Sequence, residues 1–120
     1  MSTATLASAI VATLRSRRFP ITSERAAQDA IATAFSEDGL AVEREKLLGS
    51  AGRVDFYALG IAVEIKVGVS GGSKREVYRQ LKRYADHPEV TIVVLATNVA
   101  VELPPLAKPV TVVSLGRAWL

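Results

Sequence analysis

Residues 90–96, Val-Thr-Ile-Val-Val-Leu-Ala, form a continuous apolar, β-branched run with no alternation. Such a run reads as a buried central strand, and strands of this kind occur in sheets with helices packed on their faces. The chain has 120 residues, enough for one core but not for two. Residues 1–120 therefore read as a single domain, with no internal repeat, low-complexity tract or linker.

The rest of the pattern supplies the helices and strands. Leu6, Ile10 and Leu14 recur at four-residue intervals, which predicts a first helix over 3–18 that packs on the domain and closes at Phe19-Pro20. Thr22 is the expected N-cap of a second helix, with Glu24 in its first turn, an apolar stripe of Ala27, Ala30, Ile31, Ala34 and Phe35, and Gly39 at its end. The period then changes. Residues 41–48 and 53–58 alternate as strands, and a third strand is expected over 61–67. A glycine-rich loop at 68–73, a helix over 74–86 before Pro88, the strand at 90–96 and a last strand at 110–115 complete the chain. The order ααβββαββ predicts an α/β fold with a mixed sheet between helices.

Composition narrows the chemistry. There is no cysteine and one histidine, His87, so thiolate chemistry, sulfur-based zinc sites and multi-histidine metal centres are excluded. A metal here is held by oxygen, which favours Mg²⁺ or Mn²⁺. The net charge of +3 is a mild pointer to an acidic partner. No apolar run approaches the roughly 20 residues that a membrane-spanning helix needs. The arginines at 15, 17 and 18 follow the apolar stretch at 7–14 where a secretory signal would have them precede it, so the expected location is cytoplasmic. The apolar share of 49% is high for so small a domain, which leaves part of it to be covered by a second copy in a homodimer.

The informative stretch runs from Arg53 to Lys66. If Leu59 and Gly60 are the two loop residues of a hairpin, Ala58 pairs with Ile61, Tyr57 with Ala62 and Phe56 with Val63, and Asp55 falls opposite Glu64. Lys66 then projects to the face of Glu64. Like charges in opposed positions repel unless a cation lies between them. A divalent ion held by both carboxylates removes the conflict, with the Ile65 carbonyl as a further ligand. A three-residue loop would instead put the two acids on opposite faces. Taken alone, the same residues also fit ordinary ion pairs on a solvated face.

On the helix expected over 74–86, Val77, Leu81 and Tyr84 share the face that packs on the sheet. Lys74 opens it, and Arg75, Arg79, Lys82 and Arg83 gather on the other flank as a surface for phosphates, or simply as a solvated face. Gln80 sits at the edge of the apolar stripe, four residues before Tyr84.

Val54-Asp55, then Glu64-Ile65-Lys66, then Gln80-Leu81-Lys82-Arg83-Tyr84 resemble the motifs of the PD-(D/E)xK nuclease superfamily over residues 22–96. The last of these is similar to the Q-x-x-x-Y motif of its RecB-like branch, although an early helical glutamate such as Glu24 is also a feature of its Holliday-junction resolvases. The usual proline of the first motif is replaced by Val54. The resemblance implies a restriction-endonuclease-like αβββαβ core and Mg²⁺-dependent hydrolysis of DNA, leaving a 5′-phosphate. Asp55 and Glu64 would be metal ligands, Glu24 an outer ligand and Lys66 the catalytic lysine. Gln80 and Tyr84 would support the site or contact substrate. The competing expectation is a non-catalytic nucleic-acid-binding module on the same fold. His87 reads as a helix-end residue, Glu43 and Glu45 as edge-strand charges, and Trp119 as a packing or dimer contact.

Overall fold

Two helices open the chain, α1 at Thr3–Ser16 and α2 at Glu24–Glu37. Three strands follow, β1 at Glu43–Leu47, β2 at Arg53–Ala58 and β3 at Ile61–Lys66, then α3 at Lys74–Ala85, β4 at Ile92–Thr97 and β5 at Val110–Ser114. This computed structural model describes residues 1–68 and 74–116, so the loop expected over 68–73 beyond Gly68, and Trp119, lie outside the described residues. The strands lie in the order β1-β2-β3-β4-β5. The first two pairings are antiparallel and the last two parallel, so β3 is both the middle strand and the point where the sheet changes sense.

Helices cover both faces. On one, Leu6, Ile10 and Leu14 of α1 and Ala27, Ile31 and Phe35 of α2 pack on Phe56, Ile61, Val63, Ile65 and Val94. Phe35 meets Phe56 edge to face with ring centroids 5.2 Å apart, a favoured aromatic geometry. On the other, Leu81, Tyr84 and Ala85 of α3 pack on Val54, Ala62, Val93 and Leu95. The continuous apolar run is thus divided between two cores, Val94 and Ala96 facing one and Val93 and Leu95 the other.

The helix ends follow from short polar side chains. Ser2 caps α1 by accepting the Thr5 N–H at 3.1 Å. The N-cap of α2 is Ser23, which accepts from the Ala26 N–H at 3.0 Å, one residue beyond the expected Thr22. The two helices are clasped at Asp38, whose carboxylate takes two hydrogen bonds from Arg17 at 2.6 and 2.8 Å and one from Thr13 at 2.6 Å. The Arg17 guanidinium, helped by Thr13, holds the Asp38 carboxyl well below the usual range.

The β2–β3 hairpin has the two-residue loop and the register expected of it, with Ala58 opposite Ile61, Tyr57 opposite Ala62 and Phe56 opposite Val63. Leu59 and Gly60 both have positive φ, 46° and 86°, the signature of a type I′ turn, which matches the twist of the flanking strands. Gly60 is required there twice over: besides its φ, a Cβ at this position would stand 2.8 Å from the Thr91 Oγ1. Thr3 donates to the Leu59 carbonyl at 2.8 Å, and the Gly60 carbonyl accepts from the Thr91 and Ile92 N–H groups. The closed end of the hairpin is therefore tied to the starts of α1 and β4.

Candidate active site

The open end of the same hairpin is where the regular ladder stops. The β1–β2 pairing runs Glu43–Tyr57, Arg44–Phe56, Lys46–Val54 and Leu47–Arg53, and skips Glu45 and Asp55. Glu45 has φ 56°, a left-handed conformation in the middle of a strand. Its effect is to invert the alternation. Arg44 lies over the Phe56 ring at 6.0 Å and bonds Asp29 of α2, whereas Lys46, two residues on, lies 5.7 Å from the Tyr57 ring on the α3 side. The same inversion passes through β2, because Phe56 belongs to the α2-side core and Val54 to the α3-side core. The expectation that Asp55 falls directly opposite Glu64 on a shared face is corrected accordingly: the β2–β3 ladder ends at Phe56–Val63, and the backbone turns over at Asp55.

The consequence is a gap between β2 and β3 that two carboxylates enter. Asp55 Oδ2 accepts the Ile65 N–H at 2.8 Å, and Glu64 Oε1 is 3.4 Å from the Asp55 N–H that donates to it. An extended residue directs its N–H and its C=O toward the same neighbouring strand. Because the Ile65 N–H faces Asp55, the Ile65 carbonyl is directed to the gap as well.

Around this pair the structure places most of the expected residues. Lys66 Nζ is 3.6 Å from Glu64 Oε2. Glu24 reaches from the first turn of α2 to accept the Val67 N–H at 3.3 Å. Gln80 Nε2 donates to the Tyr84 hydroxyl at 3.0 Å, and that hydroxyl lies 2.9 Å from the Arg53 carbonyl and 3.4 Å from Glu64 Oε1. Its single proton goes to the nearer carbonyl. Tyr84 is 1% exposed, so it braces the open end of the hairpin from within. The phenol is pushed above its ordinary range by burial and by the Glu64 charge.

The basic residues of α3 divide. Arg79 and Arg83 line a cleft of about 320 Å³ with Lys66, Glu76, Val77 and Gln80. Lys82 does not join that wall; it pairs with Asp86 at 2.7 Å. Lys74 and Arg75, at the start of α3, are exposed and also outside the cleft lining. Of the row of cations expected from the sequence, Arg79 and Arg83 line the cleft and Lys74, Arg75 and Lys82 do not.

Two polar contributors had gone unread in the sequence. Gln28, one turn after Glu24 on α2, lies near enough to Asp55 to favour its charged form. Asn98, just beyond β4, accepts the Gly68 N–H at 3.0 Å and pins the chain as it leaves β3. The spacing of Glu24 and Gln28, four residues on one helix face, was the available signal for the first.

Burial dominates the electrostatics. Glu64 is 3% exposed, and desolvation, with the Asp55 charge as the next cause, pushes its carboxyl up to about 8 against the pull of Lys66. Desolvation also raises Asp55, opposed by the Ile65 N–H and Lys66. Both acids cannot be charged comfortably without a cation between them. Among the described residues no group of three or more His, Asp or Glu side chains forms a ready metal cluster. The donor set on hand is two carboxylates and a backbone carbonyl, which suits Mg²⁺, an ion that uses one or two carboxylates and keeps several waters.

The site lies at the carboxyl end of β3, beside that of β4, where open sheets with parallel strands bind ligands. No helix among the described residues is long and apolar enough to cross a membrane. Compared with known proteins, the chain matches no family model, no curated protein and no solved structure.

Proposed function

We propose that this chain is a metal-dependent deoxyribonuclease of the PD-(D/E)xK kind that its motifs resemble, hydrolysing DNA phosphodiester bonds by attack of water and leaving a 5′-phosphate. One observation carries the reading: a buried carboxylate, Glu64, and a half-buried one, Asp55, share the gap at the forked end of a hairpin, with the Lys66 ammonium 3.6 Å from Glu64. Mg²⁺ or Mn²⁺, when bound, supplies a Lewis acid for the phosphate and lowers the pKa of an attacking water. Asp55, Glu64 and the Ile65 carbonyl are the residues that would hold it, with Glu24 as an outer support.

Lys66 holds the water or neutralises charge developing on phosphorus. The Ile65 N–H fixes Asp55, and Gln28 beside it favours the charged carboxylate. Tyr84, itself fixed by Gln80, holds the Arg53 carbonyl and stands beside Glu64, which keeps the fork open at a set width. The order of elements, with β1–β3 antiparallel, α3 as a crossover and β4 parallel to β3, supports the restriction-endonuclease-like part of the reading. A second copy belongs to the same proposal: β5 is the outer strand on its side of the described sheet and carries no charge to block edge pairing.

The deciding experiment is cleavage of single-stranded, duplex and branched DNA with Mg²⁺ or Mn²⁺, comparing the wild type with Asp55→Asn and Lys66→Ala. Each substitution is expected to lower the rate at least about 100-fold, the scale of losing a positioned acid–base group. Cleavage that survives both would remove these residues from the chemistry. DNA binding without cleavage under any metal condition would leave the non-catalytic module.

A further inference from the structure

The cleft beside the carboxylates has a wall whose charge the hydrolytic step does not use. Arg79 and Arg83 stand four residues apart on α3, so they are neighbours on one flank with Cβ atoms about 6 Å apart. Both line the same 320 Å³ space as Lys66 and Gln80. Three cations there face the single carboxylate of Glu76.

Of the neighbouring cations, Lys66 pairs with Glu64 and Lys82 with Asp86. Among the described residues neither Arg79 nor Arg83 forms an ion pair. Two exposed guanidinium groups are thus presented together, and a guanidinium is the side chain best shaped to grip a phosphate through two parallel hydrogen bonds. Lys66 is held at Glu64, so the reacting phosphate belongs at the strand end and the arginines lie farther along the cleft.

We infer that Arg79 and Arg83 form a second phosphate seat, for a phosphodiester next to the one being cut. The substrate is then a DNA strand with at least two consecutive phosphates, in place of a small phosphate ester. This rests on the nuclease reading for the position of the reacting phosphate, but the seat itself is tested without catalysis. Arg75 and Lys82, outside the cleft lining, are not part of it.

The test measures binding of a fluorescent single-stranded oligonucleotide in EDTA across a salt series. Each phosphate neutralised on a single strand contributes about 0.7 to the slope of log affinity against log salt. Arg79→Ala with Arg83→Ala is expected to reduce the slope by about 1.4, so that raising salt from 50 to 200 mM costs roughly sevenfold less affinity than in the wild type. Arg75→Ala with Lys82→Ala, which removes the same charge from outside the cleft, should leave the slope where it was. All four side chains are exposed, so thermal melting should match the wild type. An equal fall in both double variants would replace the seat with a diffuse field, and an unchanged slope in the first, or a wild type that does not bind, would overturn it. An RNA strand of the same sequence shows whether the seat distinguishes the two sugars. A wild type that shows this slope difference but cleaves no DNA with Mg²⁺ or Mn²⁺ would strike the nuclease reading alone.

Discussion

Replacing Glu64 with glutamine keeps the shape of the buried side chain and removes its titration. In the folded chain this carboxyl is raised from 4.5 to about 8, chiefly by burial and next by Asp55. The folded state therefore holds the proton more tightly than the unfolded state does. The stability this brings is complete below the unfolded pKa and is lost as pH rises through the folded one. One pKa unit corresponds to about 1.4 kcal/mol. Integrated from pH 5 to 8.5, the shift amounts to about 4 kcal/mol, a large part of the 5–15 kcal/mol typical of a domain. Asp55, also raised, acts in the same direction.

The assay is urea unfolding in EDTA at pH 5, 6, 7, 8 and 8.5, a range above the acid limb governed by the depressed Asp38. The wild-type midpoint should fall by on the order of 2 M across it. Glu64→Gln should hold nearly level. Adding Mg²⁺ at pH 8 should raise the wild-type midpoint, because a ligand of the folded state alone stabilises it, and should do little for the variant. If wild type and variant lose stability in parallel with rising pH, the account of Glu64 as a carboxyl kept neutral by burial is wrong.

Tyr84→Phe strips the Arg53 carbonyl and Gln80 of their partner and should cost about 1–3 kcal/mol, read as a lower urea midpoint, together with a fall in any metal-dependent cleavage. Leu59→Asn suits the first position of a type I′ turn, where Leu59 is held at φ 46°, and should raise stability by about 0.5–1 kcal/mol in thermal melting. Gly60→Val brings a branched side chain into the space of Thr91 at a positive φ and should destabilise by at least about 2 kcal/mol, measured in the same way. Glu45→Gly relieves a strained φ on the exposed edge and should leave stability equal or slightly higher, whereas Glu45→Val should weaken Mn²⁺ binding measured by calorimetry, by disturbing the turn-over that aims Asp55.

The parts of the fold legible in the sequence were those written in periodicity. The four-residue spacing of Leu6, Ile10 and Leu14 marks the packed face of α1, and the unbroken 90–96 run marks a strand covered on both sides; β4 itself begins two residues into it, at Ile92. The hairpin register was legible because turn geometry leaves few options once Gly60 is the second loop residue. The inversion at Glu45 and Asp55 was not. It comes from one left-handed residue that is neither glycine nor asparagine, at a position where alternating charges read as an ordinary edge strand. Which of the α3 cations line the cleft was also hidden, since helical spacing alone puts Arg75, Arg79, Lys82 and Arg83 on one continuous arc. Gln28 was missed because a glutamine one turn from an N-cap carries no compositional mark.

At the fork, Ile65 hands its amide proton to a carboxylate instead of to the opposite strand. That proton sits inside β3, next to Glu64 and one residue before Lys66, yet its bond partner is a group able to change charge or take a ligand. The nitrogen–proton resonance of Ile65 is consequently a spectroscopic gauge of Asp55, fitted by the backbone itself. Its chemical shift tracks whether Asp55 is protonated, free or engaged, while the tethered turn at Gly60 supplies a stationary reference a few residues away.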